Sequence, residues 1–94
     1  MTIDPEEAVS WLEKLGAELE SRGFSARLRA AVGRTPCLHV INLAAPVMSE
    51  TVMVAIDGDG EWCFYFPWPE RIAPIRDLAA AADRVERVLA EVGR

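Results

Sequence analysis

Cys37 and His39 are the residues whose types could support nucleophilic or metal chemistry. They lie two positions apart in the apolar stretch "CLHVINL", so on a strand both side chains would face the same way, roughly 6–7 Å apart. A thiolate beside an imidazole can act as a nucleophile, and the pair could ligate a metal together with Cys63 or an acid. Catalysis also needs an orienting group and oxyanion donors, and nothing near the pair in the sequence suggests them. A structural zinc site would need CxxC-like spacing, which the sequence lacks. We therefore expect no catalytic site, no metal site and no cofactor.

The stretch "DGDGE", residues 57–61, resembles the start of a calcium-binding loop. An EF-hand requires Gly at the sixth position and Glu at the twelfth, but counting from Asp57 these positions hold Trp62 and Trp68. Glycines that can adopt positive φ, each beside an aspartate, favour a hairpin turn instead. The sequence also contains no GxGxxG, P-loop, GxSxG or HExxH motif.

Four arginines cluster around the first predicted strand, at positions 22, 27, 29 and 34. The chain has 15 acidic and 10 basic residues and a net charge of −5, which argues against a nucleic-acid partner. Arg27 and Arg29 could contact a phosphate, a carboxylate or an acidic partner segment. They could equally be solvated charges that protect an edge strand from unwanted pairing. We favour the second interpretation and keep the first as an alternative.

Two segments have the three- and four-residue apolar spacing of amphipathic helices. The first follows Asp4, which forms an Asp-x-x-Glu capping box with Glu7, and it ends at Gly23, a residue suited to the left-handed position after a helix. The second runs from about Asp77 to Val92. Both segments predict a helix with one buried face and one charged face.

Between the helices the apolar period changes to two, which predicts strands. Four strands are expected, in "FSARLRA", "CLHVINL", "ETVMVAID" and "EWCFYF". The last should stop at "PWPE", since proline cannot donate to a ladder, and "RIAPIR" is interpreted as a linker. The short connections favour an antiparallel four-stranded meander with both helices on one face. We expect an α+β two-layer sandwich of order α-β-β-β-β-α, forming one domain over residues 1–94.

Two helices can cover only one face of such a sheet, yet the second, third and fourth strands are apolar on both sides. Alternation places Trp62, Phe64, Phe66 and Trp68 on one side and Cys63 and Tyr65 on the other. The pattern leaves open which set meets the helices, and we favour the larger set. The remaining face would then carry Tyr65, Cys63, Met53, Ala55, Ile41 and His39.

The last part of the chain, "EWCFYFPWPERIAPIRDLAAAADRVERVLA", resembles a pattern in small uncharacterised proteins of high-GC actinobacteria. Their pattern is an aromatic-rich strand, a W-x-E-x-I turn, then a helix that opens near "DLAAAA" and closes in "VL". The matching residues here are Trp62, Phe64, Tyr65, Phe66, Trp68, Glu70, Ile72, Leu78, Ala79 to Ala82, Val88 and Leu89. The resemblance implies no activity, and no site residue is carried over from it.

The leading hypothesis is a non-catalytic protein-interaction module that forms a homodimer through the sheet face or an edge strand. The candidate contacts are Tyr65, Met53, Ile41 and Trp68. The alternative is a domain that binds a small anionic ligand in the groove between helices and sheet, with Arg27 or Arg29 at its mouth. An enzyme that uses Cys37 and His39 comes third.

The N-terminus carries acids in place of a basic segment followed by an apolar one, so no signal peptide is expected. With only two cysteines, we predict a soluble cytoplasmic protein with no membrane or nucleic-acid partner.

Overall fold

The computed structural model describes residues 5–30, 35–44, 49–68 and 70–91. It confirms an α+β fold in which an antiparallel sheet lies between two helices along the chain. The elements are α1 (Pro5–Glu20), β1 (Phe24–Arg29), β2 (Cys37–Asn42), β3 (Ser49–Ile56), β4 (Trp62–Tyr65), β5 (Arg71–Pro74) and α2 (Leu78–Glu91). The strands lie in the order β1-β2-β3-β4-β5. Helix α1 packs mainly on β1, helix α2 packs on β5, and the two helices contact each other.

Among the described residues the sheet has five strands, and the prediction of four missed β5. This strand lies in the segment that was interpreted as a linker. Its pairing with β4 shifts register between Phe64 and Tyr65, and the consecutive residues Ile72 and Ala73 are both buried. A shifted register removes the alternation by which a strand is recognised in a sequence. Pro74 ends the strand at the sheet edge, where a missing N–H group is tolerated.

Helix α2 begins one residue after Asp77, close to its predicted start, and its N-terminal cap is an additional feature of the structure. The Asp77 carboxylate accepts a hydrogen bond from the backbone N–H of Ala80 at 3.1 Å, as an N-terminal cap does. Gly23 takes φ of 92° after the last turn of α1, a conformation that costs glycine little. Three residues named in the predictions lie outside the described residues: Asp4, Arg34 and Val92.

The core lies between the two helices and one face of the sheet. Phe64 and Phe66 are 0% and 1% exposed, so the larger aromatic set faces the helices, as expected. Trp62 is half-buried against the same core. The other buried members of this core are Phe24, Leu38, Val40, Val52, Val54, Ile72 and Ala73 from the sheet, Ala8, Leu12, Leu15 and Leu19 from α1, and Ala81, Ala82, Val85 and Leu89 from α2. Burying each large side chain contributes about 1.5–3 kcal/mol, so this layer holds the fold together.

Arg22 connects the two helices on the outside of the core. Its guanidinium lies 2.5 Å from Asp83, 3.1 Å from Glu86 and 3.0 Å from Glu18. Hydrogen bonds to Asp83 and Glu18 raise the pKa of Arg22 further above its ordinary value. Because the acids are largely exposed, we expect each pair to contribute below about 1 kcal/mol. Arg22 is therefore engaged within the chain and does not join Arg27 and Arg29.

The neighbouring residues Phe64 and Tyr65 give a direct test of which sheet face is buried. Phe64→Ala removes a ring from the packed layer, and we expect it to lower the free energy of unfolding by about 3–5 kcal/mol. Tyr65→Ala, measured in dilute protein, should cost less than half as much because this ring is only half-buried. Urea unfolding followed by circular dichroism measures both values, and equal losses would contradict the assignment of faces.

Candidate interaction surface

The face of the sheet that points away from both helices is called the open face. It is formed by alternate residues of β1 to β4 and by Arg71 of β5, whose partners on the neighbouring strands are fixed by the register. Every member is half-buried or exposed apart from Cys63, which is fully buried beneath Arg71. The members are Ser25, Arg27, Arg29, Cys37, His39, Ile41, Ser49, Thr51, Met53, Ala55, Cys63, Tyr65 and Arg71.

Apolar side chains gather at the centre of the open face. Met53 and Tyr65 are directly paired across β3 and β4, a position in which Cβ atoms lie about 4.5–5.5 Å apart. On β2, Cys37 is next to Met53 of β3, because the adjacent residues Leu38 and Val52 are paired. Ala55 is the next outward residue along β3. Burial raises the pKa of Tyr65, so its hydroxyl stays protonated and can donate a hydrogen bond. We call these four residues (Cys37, Met53, Ala55 and Tyr65) the apolar patch.

Ile41 shares the open face but lies apart from the apolar patch. It is paired with Ser25 on β1 and with Ser49 on β3. The pair of His39 and Thr51 separates this row from Met53. Ile41 is therefore an isolated apolar side chain within a polar part of the open face.

Trp68 lies elsewhere. It belongs to the turn between β4 and β5, which is closed by a hydrogen bond from the Phe66 N–H group to the Glu70 carbonyl at 3.0 Å. Its ring stacks on Phe66, with centroids 4.7 Å apart and planes 10° from parallel. Phe66 belongs to the core on the helix side, and Trp68 is 45% exposed beside it. The structure therefore brings Met53 and Tyr65 together but places Trp68 away from them.

Arg27 and Arg29 are exposed on the open face of the edge strand β1, opposite His39 and Cys37 respectively. A groove of about 230 Å³ does lie between α1 and β1, but on the helix side of the sheet. Since strand residues alternate, the two arginines point away from this groove. The residues that line it, which define the α1–β1 groove, are Glu13, Gly16, Ala17, Glu20, Ala26, Leu28 and Leu38.

Cys37 and His39 lie on the same side of β2, as the strand interpretation predicts. On the neighbouring strand β1, Arg29 pairs with Cys37 and Arg27 pairs with His39. Within the part of the chain that the structure describes, neither side chain makes a hydrogen bond, and no group of possible metal ligands includes either one. The geometry adds no orienting group to the pair.

A cluster that sequence reasoning missed lies at the end of the β3–β4 hairpin. The potential metal-ligating atoms of Asp57, Glu61 and Cys63 (two carboxylate oxygens and a sulfur) lie within 4.8 Å of one another. The Asp57 carboxylate accepts hydrogen bonds from the backbone N–H groups of Asp59 at 2.8 Å and Glu61 at 2.9 Å. Gly60 takes φ of 83° and completes the turn. The predicted hairpin turn is confirmed, with one of its two glycines at positive φ.

Arg71, on β5, fills the space between these groups. Its Nε donates to the Cys63 sulfur at 3.2 Å and lies 3.4 Å from Asp57, while one Nη lies 3.6 Å from Glu61. The guanidinium thus stands where a metal cation would have to bind. It fastens β5 to the hairpin through charge and hydrogen bonds. A sequence interpretation without β5 could not place Arg71 there.

The Cys63 thiol in this cluster is poorly suited to nucleophilic chemistry. Burial raises its pKa, although Arg71 acts in the opposite direction. A buried thiol that stays protonated at neutral pH reacts slowly, because the thiolate is the nucleophile. We interpret the cluster of Asp57, Glu61, Cys63 and Arg71 as structural.

Comparisons of the chain with protein-family models, with curated proteins and with solved structures find no match. No activity, substrate or partner is therefore carried over from a relative. In the described part of the chain, neither helix is long and apolar enough to cross a lipid bilayer.

Asp57 gives the hairpin cluster a testable pH dependence. The hydrogen bond from the Glu61 backbone N–H group is the main cause that holds the pKa of Asp57 below its ordinary value. A lowered folded-state pKa means that the carboxylate stabilises the fold at neutral pH and loses this contribution as the pH falls through that pKa. Because the folded pKa lies below the ordinary value of 3.8, we expect the Asp57→Asn variant to lose less free energy of unfolding than wild type as the pH falls from about 5 to about 2.

Urea midpoints measured across this pH range test the prediction. Asp59→Asn is the matched control, since Asp59 is exposed at the tip of the same turn, and it should keep the wild-type pH dependence. Parallel curves for wild type and Asp57→Asn would contradict the stabilising role of the carboxylate.

Proposed function

We propose that this chain is a non-catalytic protein-interaction domain that forms a homodimer through the open face of its sheet. The observation that carries the proposal is the apolar patch on a face that neither helix covers. Apolar patches with a polar rim on small domains usually mark interaction surfaces. Two-fold symmetric dimers are the commonest assemblies of identical chains, and a single self-complementary face is sufficient to form one.

The size of the open face determines how tightly we expect the proposed dimer to associate. Adjacent strands lie about 4.8 Å apart, so five strands span about 19 Å, and a six-residue strand is about 20 Å long. The face therefore offers roughly 400 Å² in projection, below the approximately 800 Å² per partner of standard interfaces. We expect a reversible dimer with a dissociation constant in the micromolar range or weaker.

The composition of the face agrees with a reversible interface. Met53 and Tyr65 supply adaptable and aromatic contacts, two residue types enriched at interfaces. His39 and Thr51 form a polar border on one side, and the arginines of β1 form another. As part of the proposal, the domain acts in a reducing cytosol, because Cys37 and Cys63 are both free thiols.

An anionic ligand in the α1–β1 groove has less support. The groove presents the carboxylates of Glu13 and Glu20, which would repel an anion, while Arg27 and Arg29 lie on the other face. An enzyme based on Cys37 and His39 lacks an orienting group within the described residues. Neither alternative has an observation that favours it over the dimer.

Met53→Lys tests the proposed dimer by placing a charge in the centre of the apolar patch. Wild-type protein should approach twice the chain mass of 10.4 kDa as its concentration rises, over a range of about 10 μM to about 1 mM. The variant should remain a monomer over the same range, because a buried unpaired charge is costly. Size-exclusion chromatography with light scattering measures both masses.

Ala79→Lys is the matched control, because it adds the same charge at an exposed position of α2. It should dimerise as wild type does. A wild-type mass that stays monomeric at every concentration, or a Met53→Lys mass equal to that of wild type, would overturn the proposal. Far-UV circular dichroism of each variant verifies that it is folded.

A further inference from the structure

The outer edge of β1 is free to accept another strand. Strand β1 pairs with β2 on one side, and no described strand lies on its other side. In an antiparallel ladder every second residue of an edge strand directs its N–H and C=O groups outward. β1 is six residues long, so three of its residues direct these groups outward. The opposite edge, β5, has four residues and includes Pro74, which has no N–H group.

The two sides of this edge differ in chemistry. On the helix side lies the α1–β1 groove, whose apolar lining is Ala26, Leu28 and the buried Leu38. Gly16 has no side chain, so α1 lies close against Leu38 and Ala26 at this point. On the open face lie Arg27 and Arg29, both exposed. In the described part of the chain, neither arginine takes part in any ion pair. A strand added here would place alternate side chains into the groove and against the arginines.

A second copy of this chain is a poor occupant of the edge. Pairing β1 with itself in antiparallel fashion would bring Arg27 and Arg29 of one copy close to the same residues of the other. Like charges opposite each other across a ladder are destabilising. Carboxylates at the same positions would instead form charge-assisted, bidentate hydrogen bonds with the guanidinium groups.

We propose that the outer edge of β1 binds an extended segment of another protein in which acidic residues alternate with apolar ones. The acidic side chains pair with Arg27 and Arg29, the apolar ones enter the α1–β1 groove, and backbone hydrogen bonds extend the sheet. Glu13 and Glu20 border the groove and repel an acid from it, so they select the register in which carboxylates face the arginines. This edge site goes beyond the proposed dimer and does not depend on it.

Two labelled peptides test the edge site, Ac-Glu-Val-Glu-Leu-Glu-Val-NH2 and its basic counterpart Ac-Lys-Val-Lys-Leu-Lys-Val-NH2. Fluorescence anisotropy at low salt should give binding of the acidic peptide on the order of tenfold tighter than binding of the basic one. The net charge of −5 opposes this preference, so its appearance requires local recognition. Amide shifts in NMR spectra should concentrate in β1 and in the residues that line the α1–β1 groove.

The double variant Arg27→Glu/Arg29→Glu should reverse the preference between the peptides. Lys14→Glu/Arg87→Glu is the matched control, with the same change in charge at exposed helix positions, and it should keep the wild-type preference. Met53→Lys should also keep it, which separates the edge site from the proposed dimer. No binding of the acidic peptide up to about 1 mM, equal or tighter binding of the basic one, or amide shifts confined to residues away from β1 and the α1–β1 groove would overturn the inference.

Discussion

The fold depends on one constraint, which is that two helices cover a single face of a five-stranded sheet. Alternation along each strand then assigns every side chain either to the packed layer or to the open face. Phe64 and Tyr65 show the consequence, because adjacent residues of β4 lie in different environments. The apolar side chains on the uncovered side are the observation on which the proposed dimer rests.

Most of the charged contacts have a structural role. Arg22 joins the end of α1 to acids on α2, and Arg71 joins β5 to the β3–β4 hairpin through Asp57. Both guanidinium groups are used where distant parts of the chain meet, and each contacts several groups at once. Arg27 and Arg29 differ from them, since within the described residues they form no ion pair. Their charge is therefore available to a partner.

The two proposed surfaces present different chemical groups to a partner. The open face presents side chains, so its recognition depends on shape and apolar area, and its limited extent favours a weak, reversible association. The edge of β1 presents backbone groups, so its recognition depends on hydrogen bonding, with Arg27 and Arg29 adding selectivity through charge. Arg27 and Arg29 border both surfaces. The apolar patch and the outer backbone edge of β1 are nevertheless different parts of the sheet, so we propose that a partner at the edge leaves the patch available to a second copy.

The elements that local interactions specify were predictable from the sequence. Gly23 marks the end of α1 and Gly60 the β3–β4 turn, apolar spacing locates the start of α2 near Asp77, and period-two alternation identifies β1 to β4 and separates Phe64 from Tyr65. These signals are readable because each depends on residues close in the chain. Tertiary structure decided the rest. Strand β5 lacks alternation because of its register shift, and the positions of Arg71, Trp68 and the α1–β1 groove depend on contacts between distant segments, which no local pattern encodes.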